Sequence, residues 1–566
     1  MTPGAPAVIL EDLGQEFFQA MNSADPFGAT MLGVPGFDGQ VMDPSRVAAS
    51  RNARRFLAIE EGLAQIDPAR LSSQDRVNHQ VLTTLAWGAR TDLEHGLWEA
   101  NASAAAYVAP QGILFQAVPA TPLPDPAAVD GYLERLSKLA GCLDAIRERF
   151  LEADRDGRVS TRAGVEQAIA QLDGHLAQPL AQDVLLMPTP PSGVDSERFR
   201  SQAGDLVQTS VRPAMRRLLE HLRGEMLPRA RDDQRVGIRF VPGGEAGYRD
   251  AVRRHTTTDL NPEAIHQMGL DRMESLEGEW ADLGQRVLGT GDPADVRARL
   301  RQDRGLRFQR REEILETVGA ALKRAEAARD RYFPPYRLAP CVIEEISPVE
   351  AGNAALAYYR PPAADGSRPG AHCVLTTDPE ERFRFEYEAL AFHESTPGHH
   401  LQLASAQQLA DVPRYRRYLD AEVCGYVEGW GLYAERLADE MGLYTSDLQR
   451  LGMLSFESWR AARLVVDTGM HHLGWSRQQA VDYMWQHTAT TRSNIENEVV
   501  RYIAWPGQAL AYMVGCQEIR RLRAVAQERL GAKFDLRGFH GAVLSQGAVP
   551  LQVVGSLVAT WIDGAL

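Results

Sequence analysis

Residues 390–403 read LAFHESTPGHHLQL and contain three of the chain's fourteen histidines. Glu394 directly follows the first of them, as in the HExxH pattern of zinc peptidases, in which two histidines four residues apart share one face of a helix. Here His399 and His400 follow His393 by six and seven residues. On a straight helix the first spacing faces the wrong side, and the second separates the residues by about 10.5 Å along the axis. Neither spacing gives a compact pair unless the helix is distorted.

The dipeptide Pro397-Gly398 lies where such a distortion is needed. Pro397 lacks the N–H that would bond to the carbonyl of His393, and glycine tolerates unusual backbone dihedral angles. We therefore predict a bulge that brings His399 to the place of the second histidine of HExxH. His400 would then lie beside the metal as a catalytic or substrate-contacting group. The assignment of His400 as the second ligand is the alternative.

A third ligand is expected in residues 421–440, AEVCGYVEGWGLYAERLADE. Glu428 lies there among small and apolar residues, where a buried carboxylate is costly unless a metal ion compensates for it. Glu435 follows in a more amphipathic turn, which favours a surface or supporting role. The sequence therefore predicts one Zn²⁺ ion bound by His393, His399 and Glu428. A buried polar network without a metal is the alternative.

Four motifs extend this pattern along the second half of the chain. They are FHESTPGHHLQ, YVEGWGLYAERL, RLVVDTGMHHLGW (463–475) and RYIAWPGQALAYMVG (501–515). They resemble the bacterial family called domain of unknown function 885, whose pattern reads HExxPGHHLQ, YxEGWxLYxE and RYxxxPGQAxxYxxG. The resemblance covers most of the chain from about residue 250, and weakly the part before it. It implies a zinc-dependent, peptidase-like protein with the three ligands above and Glu394 as the catalytic carboxylate.

Most of the sequence has helical periodicity. Residues 126–154 carry apolar side chains at helical spacing between charged ones, for example. The resemblance extends distantly to the deep-cleft oligopeptidases related to angiotensin-converting enzyme and thimet oligopeptidase, which implies a mainly α, two-lobed helical architecture around a deep cleft. We expect an N-terminal helical region, residues 1–250, and a catalytic helical region, residues 251–566, that form one continuous unit.

The segment 355–377 differs from its surroundings. ALAYYRPP and AHCVLTT are short and β-prone, with the turn sequence DGSRPG between them, which predicts a small hairpin or sheet beside the active site. A peptide substrate could bind as an added antiparallel strand. Tyr358, Tyr359 and the Gly370-Ala371 backbone would then contact its main chain. A purely structural hairpin is the alternative.

Other candidates lie in RYIAWPGQALAY. The oxyanion formed during attack on a carbonyl needs a hydrogen-bond donor besides the metal. Tyr512 is the first candidate donor and Tyr502 the second, and packing tyrosines are the alternative. Arg501 could bind a substrate carboxylate through two parallel hydrogen bonds, which would favour carboxypeptidase or dipeptidase action. Pairing of Arg501 with Glu496 or Glu498 is the competing interpretation.

Three residues of RLVVDTGMHHLGW complete the candidate set. His471 and His472 are expected to line the cleft, one of them with a structural role. Asp467 could orient a nearby histidine by accepting a hydrogen bond from its ring.

Composition narrows the classes of partner. Lys+Arg total 61 and Asp+Glu 75, so the formal net charge is −14 and binding to nucleic acid or to an anionic membrane is not expected. Residues 541–562 carry no charge, and we expect a buried C-terminal helix there, with a membrane span as the alternative. The five cysteines form no CxxC pair, which is typical of a reduced, cytoplasmic protein. The oligomeric state is left open between monomer and homodimer.

Three functions compete at this point. The first is zinc-dependent hydrolysis of short peptides, in which Glu394 takes a proton from the attacking water. The second is a dedicated amide hydrolase for one peptide-like biosynthetic intermediate. The third is a non-catalytic, zinc-stabilised helical binding protein. Glu394 favours catalysis, because that residue is not needed to hold the metal.

Overall fold

A computed structural model describes residues 5–105, 108–346, 355–362 and 368–566. Helices make up 71 % of the structure, and the only sheet in the described part of the chain is small. The prediction of a mainly α fold with a small β-sheet is therefore confirmed.

The α-helices before the sheet are α1 (Ala5–Ala24), α2 (Pro26–Met31), α3 (Arg46–Ala64), α4 (Ser73–His95), α5 (Ile113–Gln116), α6 (Pro126–Arg155), α7 (Arg162–Ala177), α8 (Ser196–Leu206), α9 (Arg212–His221), α10 (Leu227–Arg229), α11 (Gly244–Thr256), α12 (Pro262–Leu288), α13 (Pro293–Gln302) and α14 (Arg311–Ala328). Those after it are α15 (Tyr387–Glu394), α16 (His399–Ala406), α17 (Arg414–Tyr418), α18 (Cys424–Glu440), α19 (Asp447–Thr468), α20 (Arg477–His487), α21 (Arg492–Ala504), α22 (Ala511–Leu530), α23 (Leu536–Leu544) and α24 (Leu551–Ala565).

Helix α6 shows how local sequence sets an element. The Asp125 side chain accepts a hydrogen bond from the Ala128 N–H at 2.8 Å, and Pro126 occupies the first turn, where no N–H is needed. Tyr132, Leu136, Leu139, Leu143 and further apolar residues at helical spacing are buried. The helix predicted over residues 126–154 is confirmed.

The sheet has three strands, β1 (Cys341–Glu345), β2 (Ala357–Arg360) and β3 (Gly370–Val374), in the order β1-β3-β2. β2 and β3 pair antiparallel, as the β-prone segment predicts, and β1 adds a parallel strand that the sequence reading did not anticipate. Residues 363–367, which include the first half of the predicted turn DGSRPG, lie outside the described residues. His372 of β3 lies 3.1 Å (Nδ1 to Oγ) from Ser395, so the sheet packs beside the segment that joins α15 to α16.

Two large hydrophobic clusters hold the helices together. The larger one combines residues from Leu10 to Ala100 with residues from Val236 to Ile562. The other is built from Phe27 and from residues between Ala102 and Met226. The first hundred residues thus pack into the same core as the motif-bearing half. The boundary near residue 250 and the two-lobed cleft remain predictions.

The uncharged stretch 541–562 is divided between α23 and α24. α24 buries one face, including Val554, Val558 and Ile562, which agrees with the expected C-terminal packing. Among the residues that the structure describes, no helix combines the length and apolarity needed to cross a membrane.

Candidate metal centre

The helix that carries His393 ends one residue later, at Glu394. A four-residue bend follows, and α16 begins at His399 with Gly398 as its N-cap. A Cβ atom on Gly398 would lie only 1.8 Å from the carbonyl oxygen of His393 and 2.5 Å from that of Phe392. The expected bulge within one helix is therefore wrong in detail, because the chain breaks into two helices at Pro397-Gly398.

This bend brings three ligand-type side chains together. The Nε2 atoms of His393 and His399 each lie 3.6 Å from Glu428 Oε2. The two imidazole rings stand nearly perpendicular, with their centroids 4.7 Å apart. In the described part of the chain, these residues form the only group of three or more ligand-type side chains whose ligand atoms lie within 4.8 Å of one another. His400 is not a member of it.

The outer ring nitrogens of both histidines have partners. His393 Nδ1 lies 2.8 Å from Glu435 Oε1, and His399 Nδ1 lies 3.4 Å from Gln402 Oε1. If each histidine donates its Nδ1 hydrogen to this partner, its Nε2 atom carries a lone pair, and that lone pair faces the Glu428 carboxylate. Three acceptors that converge in this way require a shared cation or extra protons. Oriented imidazoles with such supporting acceptors are typical of metal sites.

The site is buried and rich in carboxylates. Burial lowers the pKa of His393, but hydrogen bonds to Glu428 and Glu435 outweigh it and raise that pKa to about 9. Burial opposes ionisation of Glu428, yet its contacts with His393 and His399 lower its pKa. The electrostatics of the site therefore favour a positive charge between these side chains.

Helix α18 approaches the triad closely because it carries glycines. A Cβ atom on Gly431 would lie 2.7 Å from Cε1 and 2.8 Å from Nε2 of His393. Gly431 thus leaves the space that the imidazole occupies, one turn from Glu428. The sequence reading missed this role, although the EGWG motif contained the signal.

Glu394 is buried at the end of α15, with 8 % of its surface exposed. Burial and the charge of Glu428 raise its pKa, while His393, His399 and Arg460 oppose the shift. Arg460 is not among the candidate residues predicted from the sequence. Its guanidinium lies 3.9 Å from Glu435 Oε1 and stacks over the Phe456 ring.

Tyr512, on α22, is close enough to Glu428 for the two side chains to interact electrostatically. Helices α18 and α22 cross closely, since a Cβ on Gly515 would lie 1.8 Å from the Gly425 carbonyl oxygen and 2.8 Å from Gly429 Cα. Tyr512 lies one turn before Gly515. Burial and the charge of Glu428 raise the pKa of its phenol. The hydroxyl therefore keeps its proton at neutral pH and can donate a hydrogen bond.

His400 points away from the triad, toward β2. Its Nδ1 lies 2.9 Å from the Tyr359 hydroxyl, and burial lowers its pKa to about 4. This geometry favours His399 over His400 as the second ligand. Tyr359 contacts His400, one residue from a candidate ligand. β3 is the central strand, so the Gly370-Ala371 backbone is already paired within the sheet.

Arg501 and Tyr502 are engaged with Glu498. Arg501 donates two hydrogen bonds to the Glu498 carboxylate, both at 3.0 Å, and one to Gln508 Oε1 at 2.9 Å. The buried Tyr502 hydroxyl donates to Glu498 at 2.7 Å and accepts from Arg463 at 2.8 Å. Glu498, rather than Glu496, is thus the partner of Arg501. This placement of Tyr502 favours packing over an oxyanion role.

His471 and Asp467 lie apart from the triad. The His471 ring is 1 % exposed; its Nδ1 accepts from the Ile238 N–H at 3.0 Å, and its Nε2 donates to the Tyr502 carbonyl at 3.0 Å. Both nitrogens are used, so the structure does not support His471 as a substrate-binding residue. Asp467 accepts from the Tyr248 hydroxyl at 2.7 Å instead of from a histidine.

His472 lies on a partly exposed surface. Its Nε2 atom lies 2.6 Å from the carboxylate of Glu263 at the start of α12. Neither histidine of the MHHL segment therefore joins the metal triad.

Two solved structures share this fold. One is "the putative lipoprotein from Colwellia psychrerythraea", with a TM-score of 0.91 and 27 % identity over 98 % of this chain and 99 % of that one. The other is "a putative lipoprotein of unknown function from Shewanella oneidensis", with a TM-score of 0.75 and 18 % identity over 97 % and 99 %. The second likeness, at its low identity, concerns the fold alone. No curated protein matches the chain.

The sequence profile described as "Bacterial protein of unknown function (DUF885)" matches residues 26–558. That range includes the α15–α16 bend, the glycine-rich helix α18 and the Tyr512 helix, and it extends well before the motifs. Because the match spans nearly the whole chain, this protein belongs to the DUF885 family.

Proposed function

We propose that this protein is a zinc-dependent hydrolase of peptide or amide bonds in short peptides or peptide-like metabolites. The observation that carries the proposal is the convergence of His393, His399 and Glu428, with Glu394 buried next to the first ligand. Glu394 is not one of the converging ligands. A buried carboxylate beside a metal triad is suited to proton transfer.

The residues present fit a zinc ion. Two imidazole nitrogens and a carboxylate oxygen form a common catalytic ligand set, which leaves a fourth position open. Ligand atoms around tetrahedral zinc lie about 3.3 Å apart, close to the 3.6 Å between each histidine Nε2 and Glu428 Oε2. Bound there, zinc would polarise the scissile carbonyl and acidify water.

Two residues would handle the proton and the oxyanion. Glu394 would take a proton from the attacking water and deliver it to the leaving amine. Tyr512 would donate its phenolic hydrogen to the oxygen that gains negative charge. The buried Glu435 and Gln402 would hold the histidine rings in the orientation that presents Nε2.

The expected partner is a short peptide or a peptide-like small molecule. We propose neither nucleic-acid nor membrane binding, in line with the formal net charge of −14. A monomer or a homodimer and a cytoplasmic location are likewise proposed. Cys142, Cys341, Cys424 and Cys516 are free thiols, which accords with a reduced environment.

The test is Glu394→Gln in the zinc-loaded protein, assayed on a library of short peptides. We expect kcat to fall by about 10²–10⁴-fold, with the zinc content by mass spectrometry unchanged. Glu528→Gln, an exposed glutamate on α22, is the matched control and should keep full activity. Full activity of Glu394→Gln would refute the mechanism. A wild-type protein that cannot be loaded with zinc would refute the metal site.

A further inference from the structure

A cluster of charged and aromatic residues lies beside Tyr512. The Glu498 carboxylate accepts two hydrogen bonds from Arg501, both at 3.0 Å, and a third from Arg463 Nη2 at 3.1 Å. The Arg463 guanidinium carbon lies 4.4 Å from the centroid of the Tyr512 ring. The Tyr502 hydroxyl bridges Arg463 and Glu498. We call Arg463, Glu498, Arg501 and Tyr502 the arginine cluster.

The charges of the arginine cluster do not cancel. Two guanidinium groups share one carboxylate, which leaves a net charge of +1. Arg463 Nη1 is buried and has no hydrogen-bond partner among the described residues. Buried arginines are normally paired, because an unpaired buried charge is expensive. An anion would therefore be attracted more strongly to this cluster than to a neutral surface.

Tyr512 connects the arginine cluster to the metal triad. Its ring lies under Arg463, and the charge of Glu428 acts on its hydroxyl. The Glu428 side chain is 22 % exposed, and those of Arg501 and Glu498 are 19 % exposed. His393 and Tyr502 beside them are buried. Glu428, Arg501 and Glu498 are thus the partly exposed members of the two groups, and Tyr512 interacts with both groups.

We propose that the substrates are peptides with a free C-terminal carboxylate, and that the arginine cluster recognises this carboxylate on the Tyr512 side of the site. The proposal rests on the hydrolytic function inferred above. The carboxylate would supply the missing anion. It would replace the neutral Gln508 oxygen on Arg501 Nη1, because Nε and Nη2 of Arg501 are already bonded to Glu498. The scissile bond would lie close to the C-terminus of the peptide.

The decisive experiment compares matched peptides that end in a free carboxylate or in a carboxamide. We expect the zinc-loaded protein to cleave the free acid with a kcat/KM about 10- to 100-fold higher, the range given by a charge-assisted hydrogen bond. Equal rates on the two peptides would overturn the inference while leaving the hydrolytic function intact.

Two variants extend the test. Arg501→Gln should lower kcat/KM on the free acid more than on the amide, so that the preference for the free acid falls toward one. Arg521→Gln is the matched control, because Arg521 also pairs through two hydrogen bonds with a glutamate three residues earlier, but on an exposed surface. Equal losses on both peptides in Arg501→Gln, at unchanged zinc content and melting temperature, would contradict the inference.

A binding measurement separates this inference from the proposed function. Zinc-loaded Glu394→Gln is titrated with the acid and the amide peptide by calorimetry. Tighter binding of the acid, by about tenfold or more, supports carboxylate recognition even if the wild type cleaves neither peptide. In that case only the hydrolytic function fails. Equal affinities would refute carboxylate recognition.

Discussion

Two adjacent histidines have opposite surroundings. His399 turns its Nε2 toward Glu428, whereas His400 turns toward the Tyr359 hydroxyl. Their sequence context is nearly identical, so the difference comes from the direction in which α16 leaves the bend. At neighbouring positions on a helix, side chains point about 100° apart. Only one of the two can therefore face the triad.

Alanine variants of these two residues test this geometry. His399→Ala should lose bound zinc, because two ligands are too few to retain it against a chelator. His400→Ala should retain about one zinc per chain and serves as the matched control. Zinc content after dialysis against EDTA is the measurement. Retention by His399→Ala together with loss by His400→Ala would reverse the ligand assignment.

A second prediction at the residue scale concerns Glu435, whose carboxylate accepts from His393 Nδ1 at 2.8 Å. Glu435→Gln would replace a charged acceptor with a neutral one. We expect zinc affinity to fall by about 10- to 100-fold, the usual cost of losing such a partner. Competition with a chromophoric chelator measures it. Glu440→Gln, near the end of the same helix, should leave the affinity unchanged.

Glycines decide how closely elements can pack around the site. α18 passes the His393 ring at Gly431 and crosses α22 where Gly429 meets Gly515. Larger side chains at these positions would separate the helices that carry Glu428, His393 and Tyr512. The glycines of VEGWG are therefore requirements of packing and not of turn geometry.

Gly431→Ala should displace the His393 imidazole, because its Cβ would lie 2.7 Å from the ring. We expect the free energy of unfolding to fall by about 1–3 kcal/mol, as is typical of overpacking, and zinc affinity to fall with it. Thermal unfolding with and without zinc measures both effects.

The control for Gly431→Ala is Gly278→Ala on α12. A Cβ there meets no atom within 4 Å. It should be neutral or stabilise the protein by up to about 1 kcal/mol through helix propensity. If both variants behaved alike, the close contact at Gly431 would not be the cause of the destabilisation.

At the scale of the whole molecule, burial sets how stability responds to pH. Glu386, at the start of α15, is buried, and this raises its pKa to about 8. Its ordinary value is 4.5. Between these values the folded protein holds a proton that the unfolded chain has lost. Stability therefore decreases as the pH rises from about 4.5 to about 8.

Glu386→Gln should remove this contribution. The wild type should lose up to about 1.4 kcal/mol per pH unit from this group across the window, and the variant should lose less. Urea unfolding at pH 5, 6, 7 and 8 measures the slope. Glu380→Gln, an exposed residue on the preceding turn, should keep the wild-type slope. A variant slope equal to that of the wild type would contradict the prediction.

Much of this protein could be predicted from its sequence, because the relevant information is local. Helical periodicity and the β-prone segment 355–377 predicted elements that the structure contains. The candidate ligands also rest on local signals. A distortion at Pro397-Gly398 and a glutamate among small residues are visible within a few positions of the chain, and the structure brings His393, His399 and Glu428 together.

Tertiary structure decided what depends on distant contacts. It turned His399 rather than His400 toward Glu428, paired Arg501 with Glu498, buried His471 against the Ile238 backbone, and added β1 to the sheet. These outcomes depend on which helix passes beside which side chain, and glycine contacts between segments far apart in sequence control that approach. Residue spacing determines which groups share a face of one helix, whereas long-range packing determines what that face meets.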